Sequence, residues 1–329
     1  MNWLDRQVLV SGAGGFIGSH LVEALAGRGA RVRAFLRYTS RPDSGLLRFV
    51  DPALLAKVEI VRGDLRDGDA VRLASTGVDT IFHLGALIGI PYSYVHPREV
   101  VDTNVIGTFN VLEAARLCKV RRLVHTSTSE VYGTALTERI DENHRLQGQS
   151  PYSASKIGAD KLVESYARSF GVSAVTIRPF NTYGPRQSAR AIVPTIITQA
   201  LAGGEVRLGS LTPTRDLTFV RDTVAGFILG AERDEAVGLE INLGTDLEVS
   251  IGDLATQIAR LIGSDINVVE DPARLRPQHS EVMRLHADAS LAHRVLGWNP
   301  IVQLEVGLAE TVEWIRRHTE MYRPGTYEV

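Results

Sequence analysis

The stretch Ser11-Gly12-Ala13-Gly14-Gly15-Phe16-Ile17-Gly18 constrains the fold more than any other part of the chain. The apolar run Val8-Leu9-Val10 before it reads as a short buried strand. After it, Ile17, Leu21, Ala24 and Leu25 fall on one helical face, and Gly27 and Gly29 close that helix. Glycines at 12, 15 and 18 between a strand and a helix have three uses. They permit a tight turn, let backbone approach a pyrophosphate, and let the helix pack close to the strand. The first turn of the helix presents free N–H groups to phosphate. The stretch therefore predicts a dinucleotide-binding unit.

Strand and helix signals alternate through the first half. Strands are expected at 31–36, 58–61, 79–84, 122–127 and 174–178, with long helices over 100–118 and 152–170. The first of these helices is read with Val101, Val105, Phe109 and Leu112 inside. This order implies an α/β fold, a Rossmann-type doubly wound parallel sheet with ligands beyond the carboxyl ends of its strands. From about residue 185 the strands shorten and the loops carry Pro and Arg. Helices are expected near 189–203, 223–232, 250–262, 288–296 and 303–318, the third capped by Ser250. Residues 1–184 are thus read as the dinucleotide-binding domain, and 185–329 as a smaller, mainly substrate-binding lobe. The strand at 240–243 is expected to return to the first sheet.

A formal net charge of −2 gives no electrostatic reason to expect nucleic acid or an anionic membrane as partner. The single cysteine, Cys118, suits a reducing compartment and reads as a buried thiol. The first strand begins too early for a signal peptide, and no apolar run is long enough to span a bilayer, so a cytoplasmic protein is expected. No cluster of His, Cys and carboxylates has metal-ligand spacing. His83 and His279 read as packed or capping residues.

Tyr152 and Lys156, four apart, share one face of a helix. A phenol titrating near pH 10 is a poor base, and a neighbouring ammonium is expected to lower that value. The tyrosine would then move a proton on and off a sugar or alcohol hydroxyl. Thr126-Ser127-Thr128-Ser129-Glu130 ends the fifth strand and brings hydroxyls and one carboxylate to the same mouth. The bland alternatives are caps and a solvated loop.

GAGGFIG, FHLGA around His83, TSTSEVYG, YSASK around Tyr152, RPFNTYGP and RDLTFVRD together resemble the extended short-chain dehydrogenase/reductases. More narrowly they resemble the NAD(P)-dependent nucleotide-sugar epimerase/dehydratase family, over nearly the whole chain. The resemblance implies Thr128, Ser129, Glu130, Tyr152 and Lys156 as catalytic. It places Gly12, Gly15, Phe16, Ile17 and Gly18 on the cofactor pyrophosphate and Asp64 with Leu65 at the adenine. Leu84 and Ala86 fall beside the nicotinamide, and Lys156 at its ribose. Asn181, Arg186, Arg215 and Arg276 would hold the nucleotide sugar, the arginines clamping its diphosphate. A homodimer is also implied, built on the helices at 100–118 and 152–170, with Val111, Ala114, Ala115, Val163 and Ala167 as apolar surface.

The chain departs from the family near its second strand. Ala34-Phe35-Leu36-Arg37-Tyr38 has no carboxylate for a ribose. Arg37, with Arg41, would instead meet a 2′-phosphate, leaning the cofactor from NAD towards NADP and resembling GDP-mannose 4,6-dehydratases. The triplet Thr128-Ser129-Glu130 resembles those dehydratases and UDP-glucuronate decarboxylases alike, and speaks against a galactose-type 4-epimerase. The stretches 87–94, 147–152 and 276–282 resemble the N-acetylglucosamine nucleotide dehydratases of legionaminic acid synthesis. The resulting expectation is a 4,6-dehydratase acting on a UDP- or GDP-linked hexose. Tyr152 takes the O4 proton and Glu130 the C5 proton, and Ser129, having no carboxyl, leaves Glu130 to serve also as acid. Decarboxylation, 4-epimerisation and a non-catalytic NAD(P)-binding regulator are the alternatives; an intact Tyr152–Lys156–Glu130 set argues against the last.

Overall fold

Six parallel strands alternate with helices in the first half: β1 (Gln7–Ser11), β2 (Arg31–Arg37), β3 (Glu59–Gly63), β4 (Thr80–His83), β5 (Arg122–Thr126) and β6 (Ala174–Pro179). The computed structural model describes residues 2–39 and 43–323. β7 (Asn181–Tyr183), β8 (Glu205–Leu208) and β9 (Thr214–Phe219) leave this sheet, and β10 (Glu240–Leu243) returns to lie parallel to β6. The sheet order β10-β6-β5-β4-β1-β2-β3 reverses direction between β1 and β4. That reversal opens a crevice at the carboxyl ends of the strands, where ligands of this architecture bind.

Alternate residues of each strand serve opposite faces, and both faces are covered. Val8, Val10, Ala34, Phe82 and Val124 join the core on the side of helices Phe16–Gly27 and Val220–Glu232. Leu9, Phe35, Ile81 and Leu123 join the core beneath helices Gly68–Ser75, Gly107–Leu117 and Pro151–Phe170. In the second lobe β9 is the hub. It pairs with β7, with β11 (Glu248–Ser250) and with β13 (Arg284–Leu285), while β12 (Asn267–Glu270) pairs with β8. Ser250 does cap its helix, accepting from Asp253 N at 3.0 Å.

The helix expected over 100–118 is instead two α-helical pieces, Pro97–Val101 and Gly107–Leu117, joined by a wider π-type turn over Asp102–Ile106. The turn rotates the apolar pattern. Val101 and Phe109 face outward at 42% and 40% exposure, whereas Val100, Asn104, Thr108 and Val111 are buried. Val111, Ala114, Ala115 and Val163 are therefore core of the chain itself, not apolar surface. Cys118 is half-buried rather than buried. Among the described residues no helix is long and apolar enough to cross a membrane.

Burial keeps three histidines neutral. It lowers His20 and His125 to about 4, and holds His83 well below the ordinary value. The unfolded chain accepts protons at these sites near pH 6.5, where the folded chain refuses them. Their contribution to stability is fully present above pH 6.5 and is lost as pH falls towards 4. Urea midpoints measured across that window should fall with acidification, with proton uptake on unfolding. A midpoint that stays flat from 6.5 to 4 contradicts this.

Candidate active site

The glycine turn connects β1 to the helix Phe16–Gly27, with Gly15 at its N-cap. Gly12 has φ +70°, and a Cβ there would stand 2.8 Å from Gly85 N. A Cβ at Gly18 would lie 2.1 Å from Gly12 O, so the helix can pack on the turn only if residue 18 is glycine. This cradle fits a dinucleotide pyrophosphate: bare backbone at a helix N-terminus, with Phe16 and Ile17 opening the first turn. Gly18→Ala should cost about 1–3 kcal/mol through overpacking. It should also abolish retention of bound nucleotide, read from the absorbance of the purified protein. Unchanged retention would count against the cradle.

Beside the turn, Ser11 Oγ accepts from Gly85 N at 3.1 Å and bonds His83 Nδ1 at 2.8 Å. His83 Nε2 meets Thr108 at 3.0 Å, so His83 is a buried structural link. The Leu84 backbone lies against Gly12, and Leu65 packs against Gly85 and Gly107. Ala86 precedes Leu87, whose N–H and C=O are both held by Asn104, at 2.8 and 2.9 Å. Asn104 also donates to Ser155 Oγ at 2.9 Å, joining this loop to the helix that carries Tyr152. The sequence reading missed Asn104; its signal was a polar residue on the buried face of an apolar helix.

The helix Pro151–Phe170 starts with strong local signals. Ser150 and Ser153 form a capping box, Pro151 takes the first helical position, and Gly171 ends the helix at φ +66°. Tyr152, Lys156 and Asp160 then share one face and meet successive residues at the end of β5. The Tyr152 phenol lies near Thr128, whose side chain favours its ionised form, Lys156 Nζ donates to Thr126 O at 2.6 Å, and Ser127 Oγ donates to Asp160 at 2.7 Å. Asp160 also accepts from Arg178 at 3.0 Å and bonds His125 at 3.2 Å. These contacts keep its carboxyl below the usual range despite burial.

Thr128 caps a short turn over Ser129–Tyr132 by accepting from Glu130 N at 3.2 Å. Ser129 and Glu130 are both buried. Glu130 is close enough to Tyr152 that its charge raises the phenol, and close enough to Arg215 to favour the charged guanidinium. Phenol and carboxylate are thus both buried and near enough for the charge of one to act on the other. The expected lowering of Tyr152 by Lys156 is not what the structure has. Burial raises the phenol, and the ammonium is directed at the Thr126 carbonyl. Burial also lowers Lys156, to about 8, while Asp160 opposes that shift.

β13 runs beside β9 with Leu285 opposite Arg215, and this brings the preceding loop to the pocket. There Glu281 lies between two guanidinium groups, 3.4 Å from Arg215 and 3.5 Å from Arg276. Asn181 Oδ1 is buried without a hydrogen-bond partner, and Arg276 Nη1 is buried with the 3.5 Å ion pair to Glu281 but no hydrogen bond. Buried polar groups are normally paired, so these two suit a polar ligand. Gln149, also missed, ties the loop down by donating to the carbonyls of His279 and Glu281, each at 3.3 Å. Arg186 is not brought to this cluster. It is buried against Glu23 at 2.7 Å and the Phe49 carbonyl at 2.9 Å, fastening the second lobe to the first helix.

At the other end of the crevice, Arg37 pairs with Glu99 at 3.4 Å and Asp64 with Arg66 at 2.6 Å. Arg41 lies outside the described residues. A parallel sheet of this order, a glycine cradle and a tyrosine–lysine pair at the strand ends define a short-chain dehydrogenase/reductase.

A family profile described as GDP-mannose 4,6 dehydratase matches residues 9–311. The chain is 35% identical over 320 residues to a UDP-glucose 4-epimerase of Mycolicibacterium smegmatis, covering 95% of this chain and all of that protein. It is 34% identical over 331 residues to a dTDP-glucose 4,6-dehydratase of Streptomyces griseus, covering 98% and 97%. A dTDP-glucose 4,6-dehydratase of Streptomyces venezuelae, solved with NAD bound, superposes with TM-score 0.86 at 31% identity, covering 96% and 98%. The chain belongs to the GDP-mannose 4,6-dehydratase family, among the NAD-dependent nucleotide-sugar dehydratases and epimerases.

Proposed function

We propose that this protein is a nucleotide-sugar 4,6-dehydratase, converting a UDP- or GDP-linked hexose, N-acetylglucosamine foremost, to its 4-keto-6-deoxy form. One observation supports the reading: Glu130 is a buried carboxylate near enough to Tyr152 for its charge to act on the phenol. A 4-epimerase has no proton to remove from carbon, and such a carboxylate would be idle in it. Glycines 12, 15 and 18 hold the pyrophosphate of NAD(P), which when bound takes hydride from sugar C4 and returns it to C6. Tyr152 takes the O4 proton as its phenolate, a form that burial opposes in the free protein and that the positive charge of an oxidised nicotinamide, when bound, would favour. The C4 ketone acidifies C5–H, and Glu130 accepts that proton. Ser129 has no acid to offer, so Glu130 passes the same proton to the departing C6 hydroxyl, which leaves as water. The proton taken from O4 balances the one regained at C5. Arg215, Arg276 and Asn181 hold the substrate, the two guanidinium groups on its diphosphate. Two copies pair through the outward apolar residues Val101, Ile106, Phe109 and Phe170, in place of the buried set expected from sequence.

A second reading, decarboxylation of a UDP-glucuronate, draws support from the buried Arg215, a guanidinium of the kind a sugar carboxylate would need. Incubation with UDP-, GDP- and dTDP-linked glucose, N-acetylglucosamine, mannose and glucuronate, followed by product mass, separates the readings. Loss of water supports the dehydratase. Loss of carbon dioxide, a new isomer of equal mass, or no reaction each overturns it.

A further inference from the structure

The end of β2 is where this fold meets the adenosine ribose, and a carboxylate there binds the 2′-hydroxyl of NAD. Here the position is Arg37, a residue suited to the 2′-phosphate of NADP. The structure shows that Arg37 already has an anion. Its Nη2 donates to Glu99 Oε1 at 3.4 Å, and Glu99 Oε2 accepts from the Tyr92 hydroxyl at 2.5 Å. The second guanidinium at these strand ends, Arg66, is held by Asp64 through Nε at 3.0 Å and Nη2 at 2.6 Å. Asp102 adds negative charge near Arg66 and pairs with Arg98 at 3.6 Å. Three cations thus face three carboxylates. A 2′-phosphate, with about two negative charges, would have to displace Glu99 or sit among these acids. A 2′-hydroxyl, a donor as well as an acceptor, suits a carboxylate.

We propose that Glu99, carried on the helix Pro97–Val101, supplies the carboxylate that β2 lacks and thereby selects NAD over NADP. The proposal rests on the family's dinucleotide binding and is independent of which sugar reaction follows. It reverses the lean towards NADP that Arg37 suggests by itself.

Purified protein is incubated with equimolar NAD and NADP and freed of unbound nucleotide. It is then denatured, and the released cofactor is identified by mass. The wild type should retain at least tenfold more NAD than NADP. Glu99→Gln should raise the NADP:NAD ratio at least tenfold, because Arg37 is then free for the phosphate. Adding Arg37→Ala to Glu99→Gln should return the ratio towards the wild-type value. A wild type that retains NADP equally or better overturns the proposal. So does a ratio in Glu99→Gln that rises less than tenfold, or a gain that survives removal of Arg37. The readout is bound nucleotide, so a failed dehydration assay leaves this test intact.

Discussion

Glu130→Gln should leave a folded protein that still retains its nucleotide and binds the sugar nucleotide, yet dehydrates it about 10²- to 10⁴-fold more slowly. The amide keeps the shape of the side chain and the Thr128 cap, which uses the backbone N–H of residue 130. What it removes is the carboxylate proposed to take a proton from C5 and hand it to the leaving hydroxyl. The loss should fall on kcat, since the carboxylate acts on carbon and not on the diphosphate. Exchange of the C5 proton with deuterated water should vanish along with product. A Gln variant that releases water at near wild-type rate would remove Glu130 from the chemistry and with it the case for a dehydratase.

Tyr152→Phe should cause a loss of the same order, about 10²- to 10⁴-fold, but at an earlier step. The proposed reaction begins by taking the proton from the O4 hydroxyl, and Tyr152, the phenol on which the charge of Glu130 acts, is its proposed acceptor. The two variants therefore differ in a single turnover. Glu130→Gln should still develop the absorbance of reduced nicotinamide on mixing with substrate, whereas Tyr152→Phe should not. Equal burst amplitudes in the two variants would overturn this division of labour. The phenylalanine variant should fold normally, because the capping box, Pro151 and the buried apolar face that form this helix are unchanged.

The accuracy of the sequence reading followed the range of the interactions involved. The turn at 11–18, the strands flanking it and the helix bearing Tyr152 and Lys156 were legible because each is written in adjacent residues. Glycine spacing, alternation of apolar residues and a Ser-Pro opening act within a few positions. The reading failed where a local pattern admitted two orientations. Val101 and Phe109 match a helical period, but the π-type turn at Asp102–Ile106 sets which face goes inward. That turn serves Asn104, whose partners Leu87 and Ser155 are 17 and 51 positions away. Arg186 has the look of a phosphate ligand, yet its partner is Glu23, 163 positions earlier.

By itself, the amino-acid sequence determined the layered α/β architecture, the glycine cradle and the helix that carries Tyr152 and Lys156 on one face. These depend on periodicity and on what glycine, proline and serine do to the backbone beside them. Only the tertiary structure decided which charges meet. Glu281 lies between Arg215 and Arg276, and Glu99 on Arg37. An ion pair between side chains 62 or 66 positions apart leaves no mark on local propensity. It exists because the sheet brings separate strand ends together, and what a charge can do in this crevice is set by the charge it meets there.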